Sequence, residues 1–318
     1  MKNYRVEVSM KSISLEKNSF VSFPIMMMLI ILSIVYSGLS FGQNPDRKKP
    51  PELGPPPSLI LPPIQRLKLS NGLPVILMEK HNVPLVQMEL VVKTGSITES
   101  PEKIGLASFA ASMMEEGAGS RNALELSDAI DYLGAGISTY AGQHTSGVVL
   151  HCALSKLDSA LALFGDIAMR PTFPSDEVER GRKERLTMLM QWHDEPRQIA
   201  SVLFNRTLFG KIHPYGIPSI GDEKSLRAFR VDDLKKFHET YFHPNNASLI
   251  VVGDVTSEVI LPKLETVFGK LKRVDIPKIS LPPVEQVQKR QIYLVNKPGA
   301  AQSEIRIGRI GVQRLTED

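Results

Sequence analysis

Two serines, Ser108 and Ser112, stand four residues apart in the run 105–117, GLASFAASMMEEG, which is small and apolar, lacks proline and closes on Gly117. Such a run predicts a buried helix with Gly117 near its C-terminal end, and the spacing puts both hydroxyls on one helical face. Zinc needs three protein ligands of nitrogen, oxygen or thiolate type plus a water position, and two hydroxyls do not supply them. Ala111, between the serines, cannot act as a base. The seven histidines, His81, His144, His151, His193, His213, His238 and His243, include no pair four apart, so neither order of the two-histidine, one-glutamate zinc motif occurs. His144 and His151 differ by an odd number along extended chain and point to opposite faces of a regular strand. His213 and His243, each before a proline, read as turn residues that satisfy backbone groups. Glu115 and Glu116 face different ways and read as a solvated helix end. Cys152, the only cysteine, lies in the apolar run 148–154 and reads as a small buried hydrophobe, not as a nucleophile or half of an internal disulfide.

The elements that must position these residues follow from pattern. At 318 residues the chain can bury a substantial core. Residues 1–42 pair a basic start with the apolar run 20–39 and small residues suited to cleavage before Gln43, so they read as a signal peptide or as an uncleaved N-terminal anchor. Either places the body outside the cytoplasm. About half of the formal charge of +4 lies in this leader, and the remainder is too small a bias for nucleic acid. Residues 43–63 are dense in proline and predict an extended linker. Residues 67–78 alternate around Asn71-Gly72, a hairpin signal, and 86–93 and 145–154 read as further strands. Helical spacing marks 122–133, 157–168, 175–193, 197–208, 231–241 and 258–268, with an apolar strand at 247–252. Composition and periodicity by themselves support an exported α+β domain.

Several tags occur in order: Arg170-Pro171-Thr172-Phe173, Asp194-Glu195-Pro196, His213-Pro214-Tyr215-Gly216, Tyr241-Phe242-His243-Pro244-Asn245-Asn246 and Val251-Val252-Gly253-Asp254. With the hairpin at Asn71-Gly72 and the turn Gly95-Ser96 before the 105–117 helix, this succession resembles the N-terminal half of an M16 (pitrilysin/insulinase-like) zinc peptidase. The resemblance implies a LuxS/MPP-like α+β half, its mostly antiparallel sheet covered by helices. It also implies domain bounds: 64–273 for the M16 N-terminal-type domain, 274–290 for a linker and 291–318 for the start of a truncated second M16 domain. In that last segment 291–295 and 303–312 read as two strands. Two strands without a sheet leave edges unpaired, so the chain reads as a fragment.

In the family the helix carries an inverted H-x-x-E-H motif. Its register falls here on Ser108, Ala111 and Ser112, and the family's third ligand, a glutamate on a later helix, falls on Met188. The resemblance therefore implies a frame with degenerate positions Ser108, Ala111, Ser112 and Met188 and no zinc cofactor. In active relatives the strand matching 136–143 pairs with extended substrate, which makes Ser138, Thr139 and Tyr140 candidates for binding extended peptides. Three functions are in view. The first is an exported, periplasmic, non-catalytic subunit that partners a zinc-bearing M16 subunit in peptide degradation, touching membrane only through an uncleaved leader anchored to the inner membrane. The second is a structural scaffold like the core subunits of the respiratory bc1 complex. The third is an active zinc metallopeptidase with displaced ligands.

Overall fold

The computed structural model describes residues 62–312, together with 27, 28, 54 and 316. The leader and linker expectations fall almost wholly outside these residues. Among the described residues no helix is long and apolar enough to cross a membrane. All elements below belong to the unit Ile60–Asp318.

Strands β1 (Ile64–Lys68) and β2 (Pro74–Glu79) form the expected hairpin, with Leu67 opposite Val75. Gly72 takes a left-handed φ of 88° in its loop, and Asn71 donates to the carbonyls of Phe268 (2.8 Å) and Leu271 (3.2 Å), tying the loop to the last helix. Strands β3 (Leu85–Val92), β6 (Gly136–Ala141), β7 (Ser146–Ala153) and β8 (Ala247–Gly253) complete a six-stranded sheet in the order β1-β2-β8-β3-β7-β6. Every neighbouring pair is antiparallel except β2 with β8. A short ladder of β4 (Gly117–Ala118) with β5 (Arg121–Asn122) stands apart from it.

Burial alternates along β2, β3 and β8, so one face of the sheet is covered. Val75, Leu77, Met88, Leu90, Leu249 and Val251 point into the core, where they join Phe164 and Ile167 of α3 (Leu157–Met169) and Leu264 and Phe268 of α8 (Ser257–Phe268). The helix of the two serines, α1 (Leu106–Met113), packs on β6, on α4 (Ser175–Trp192) and on α7 (Val231–Tyr241). Helices α2 (Ala123–Tyr132), α5 (Pro196–Phe209) and α6 (Glu223–Ala228) complete the described set. An Asn122/Glu125 capping box starts α2. The tag asparagine Asn246 donates to the carbonyls of Tyr241 and Lys93, holding the α7 end against β3. This is the α+β arrangement with a mostly antiparallel, helix-covered sheet that the resemblance implied.

The C-terminal expectation is corrected. Neither 291–295 nor 303–312 is a strand; residues 270–312 contain no helix or ladder. Strand preference is realised through pairing and a face to bury, and these segments have neither: Leu294 is 92% exposed and Ile307 93% exposed.

Candidate functional site

The start of α1 is fixed by its backbone. Gly105 precedes the helix in the left-handed region at φ 88°, and a Cβ there would lie 2.6 Å from the Cα of Gly221. Glu99 caps this end, accepting from the N–H groups of Gly105 and Ala107, both at 2.8 Å. Burial outweighs these two bonds and raises its carboxyl from 4.5 to about 7.

Ser108 and Ser112 share one face of α1, as the spacing predicts, and that face meets α4. Arg185 of α4 donates to both: Nη1 to Ser108 Oγ at 2.8 Å, Nη2 to Ser112 Oγ at 3.0 Å, and Nη2 also to the Ser108 carbonyl at 2.7 Å. The serine protons turn away, Ser108 donating to the Ser219 carbonyl (2.5 Å) and Ser112 to the Phe109 carbonyl (2.9 Å). The guanidinium carbon lies 5.0 Å from the centroid of the Phe109 ring. Burial lowers Arg185 to about 10, so it remains a cation at neutral pH. Met188, one turn further along α4, is 45% exposed. The side chain of α4 that reaches both serines is therefore Arg185, which pattern reading missed.

The adjacent face of α1 meets the sheet edge. Ala111 is buried, and its carbonyl accepts from Thr139 Oγ1 at 2.7 Å. Glu115, one turn later, accepts from both the backbone N–H and the hydroxyl of Thr139. Burial raises its carboxyl above the ordinary value, and the Thr139 bonds oppose that rise. Glu116 pairs with Arg180 at 2.7 Å. The expectation of a solvated helix end at 115–116 is thus corrected: both carboxylates are engaged, because the tight turn through Gly117 folds the end of α1 against β6 and α4.

Among the described residues strand β6 is an edge, hydrogen-bonded to β7 alone. Of the three peptide-binding candidates on it, Thr139 faces α1, whereas Ser138 and Tyr140, two apart, share the other face. Tyr140 donates to Glu89 at 2.7 Å, and burial together with that carboxylate pushes its phenol up. Since Thr139 turns its N–H away from β7 to Glu115, alternation along the ladder leaves Ile137 and Ala141 as the neighbouring outward rungs.

Three of the histidines make contacts with backbone groups. His213 Nδ1 accepts from the Tyr215 N–H at 3.0 Å, His243 sits between the carbonyls of Glu239 and Lys272, and buried His238 meets the Ala168 carbonyl at 2.8 Å. Cys152 is buried in β7.

A divalent metal does not fit between the two serines. The oxygens that would face it already accept N–H groups from a cation. Among the described residues no three His, Cys, Asp or Glu side chains gather where an ion could be held. The arrangement offers hydrogen-bond donors and positive charge, the opposite of a metal-ligand set.

Comparison with known proteins gives two family matches: insulinase (peptidase family M16) over residues 74–219, and the peptidase M16 inactive domain over residues 228–318. An uncharacterized zinc protease of Rickettsia bellii is 27% identical over 204 residues, which cover 64% of this chain and 49% of that protein. The chain spans about half the length of the first curated relatives it matches. Among solved structures, the peptidase M16 inactive domain from Pseudomonas fluorescens superposes with a TM-score of 0.66 at 23% identity, covering 70% of this chain and 54% of that one. The periplasmic protease PqqL from Escherichia coli gives 0.64 at 20% identity over 70% of this chain and 25% of its own.

Proposed function

Because the chain belongs to the M16 peptidase family, we propose that it acts without zinc, as the non-catalytic member of an exported assembly whose zinc is carried by a second M16 chain. The observation that carries this reading is the Arg185 guanidinium between Ser108 and Ser112. On the family register these serines stand at the histidine positions, Ala111 stands at the position of the water-activating glutamate, and a fixed cation there repels a divalent metal. Met188 at the third ligand position adds no charge. Burial of Ala111 beneath Thr139 supports the same reading, since no open space is left where a general base would reach water.

Export is supported by the leader pattern of residues 1–42 and by likeness to a periplasmic protease. The task assigned to this subunit is to hold extended peptide at the β6 edge, near Ser138, Thr139 and Tyr140, while the partner cleaves. A second reading, a scaffold with no peptide role, draws on Glu115, which closes the Thr139 rung of that edge.

The expected results are no stoichiometric zinc after dialysis, no hydrolysis of unstructured peptides by this chain alone, and chelator-sensitive hydrolysis once a zinc-bearing M16 partner from the same source is added. Elemental analysis and a quenched-fluorescence peptide assay measure these. One tightly held zinc per chain with cleavage by the isolated protein would overturn the non-catalytic reading. A stable complex whose activity is indifferent to this chain's β6 edge would favour the scaffold.

A further inference from the structure

We propose that Arg185 is a receiving site for a carboxylate carried by a bound peptide, either the α-carboxylate of its C-terminus or an Asp or Glu side chain. This deepens the reading above and rests on it, since a metal held by this face of α1 would exclude the guanidinium.

The argument starts from charge accounting on α4. Arg180 is bound by Glu116, Glu177 and Glu184, and Arg182 by Glu179. Arg185 has no such partner: among the described residues no carboxylate oxygen lies within 4.0 Å of it. Its three bonds go to neutral acceptors, the two serine hydroxyls and one carbonyl, and its face lies on an aromatic ring. Glu99 is the carboxylate whose charge bears on it, but the two oxygens of Glu99 are taken by the Gly105 and Ala107 N–H groups. A partly buried cation without a counter-ion is costly, and an anion delivered from outside relieves that cost.

The guanidinium also keeps donors to offer. It carries five N–H bonds, and three are used. The others, on Nε and Nη1, have no acceptor among the described residues, and Nε, which has no partner at all, is not a buried orphan, so an anion can reach it from solvent. The bonds to Ser108 and Ser112 fix the plane of the group, so little side-chain freedom remains to be lost when an anion arrives. A carboxylate there makes charge-assisted bonds, stronger than the neutral ones already present.

The observations favour a peptide over a small free acid because of what adjoins the cation. Ser112 follows Ala111, whose carbonyl holds Thr139, so one turn of α1 carries both the cation's anchor and the contact to edge strand β6. An extended chain paired along that edge gains main-chain bonds, and the cation then selects for where the chain carries negative charge.

The test uses the full chain with ¹⁵N-labelled arginine and three hexapeptides of one uncharged sequence: the free C-terminal acid, the C-terminal amide, and the amide with one central Glu. Acetate serves as the small-acid control. The expected result is that at least one acid-bearing peptide binds ten-fold or more tightly than the neutral amide and shifts the Arg185 Nε–H resonance, with acetate acting only at far higher concentration. Arg185→Gln should abolish the discrimination between acid and amide. The proposal is overturned by equal affinity of acid-bearing and neutral peptides, by no binding of any of them, by an unmoved Arg185 resonance at saturation, or by discrimination that survives in Arg185→Gln. Acetate as effective as the peptides overturns the peptide assignment in favour of a small-acid site. Should Arg185→Gln fail to fold, the resonance and the affinities of the unsubstituted chain decide. Zinc found in the unsubstituted chain would instead strike at the non-catalytic reading, so the two failures are distinguishable.

Discussion

A guanidinium and a zinc ion compete for the same oxygens: both attract lone pairs, and a guanidinium that already donates to both hydroxyls sets a fixed positive charge where the metal would sit. Ser108 and Ser112 suit the first, being neutral acceptors that pass their own protons to the Ser219 and Phe109 carbonyls. Two other buried groups, Glu99 and His238, make opposing contributions to the pH dependence of stability. Glu99 is raised from 4.5 to about 7, so the stability it contributes is complete below 4.5 and is lost as pH rises through 7. His238 is lowered from 6.5 to about 4 by burial, so its contribution is complete above 6.5 and is lost as pH falls through 4. The windows overlap, and the two slopes oppose, each worth on the order of 3 kcal/mol across its range. The expected outcome is a shallow dependence in the unsubstituted chain between pH 4.5 and 6.5. Glu99→Gln should unmask a rise of roughly 2–3 kcal/mol in unfolding free energy over the same interval. Urea titrations at four pH values measure it. A Glu99→Gln profile as flat as the parent's would show that His238 is not the desolvated group described.

Helix α1 presents two working faces about 100° apart, as helical geometry requires of consecutive residues. One carries Ser108 and Ser112 to α4, and the other carries Ala111, with Glu115 in the turn just after the helix, to β6. Restoring the family's ligands by Ser108→His, Ala111→Glu, Ser112→His and Met188→Glu therefore should not suffice to bind zinc, since Arg185 still faces both imidazoles. Adding Arg185→Leu removes the repulsion, and calorimetric titration should detect zinc binding only in the five-fold variant. Zinc taken up equally by the four-fold variant would mean that Arg185 does not stand between the two positions in solution. The β6 edge was implied only by the family resemblance, whereas the helix and its serine face were legible in the sequence because they depend on spacing within a few residues. Arg185 was not, because its partners lie 73 and 77 residues away, and an arginine on a helix rich in charge looks solvated. Glu115 was hidden for a related reason: only the turn through Gly117 and the return of the chain at Thr139 show that the carboxylate faces a strand. The parallel pairing of β2 with β8 likewise has no local signature, since each residue of β2 lies 174 positions from its partner, as Glu79 does from Gly253.

At the scale of the whole molecule, the sheet closes its covered face with α3 and α8, and of the described residues after α8 Leu271 alone packs against that core. The apolar run at 291–295 and the alternating apolar residues at 303–312 look like strands in isolation, yet Leu294 and Ile307 are almost fully exposed. Surface of this kind favours association, because Ile292, Tyr293, Leu294, Val295, Ile305, Ile307 and Val312 all expose apolar area to water. Removing two of them should cost the fold little: Leu294→Ser with Ile307→Ser is expected to change the unfolding free energy by less than about 0.5 kcal/mol, the usual range for surface substitutions. The same double substitution should lower concentration-dependent self-association, read by light scattering between micromolar and tens of micromolar protein, and should reduce binding of an apolar dye. Scattering and dye binding unchanged from the parent would mean that this segment is not the source of association. A stability loss well above that range, at a protein concentration where the parent is monomeric, would mean that Leu294 and Ile307 are buried within the molecule after all.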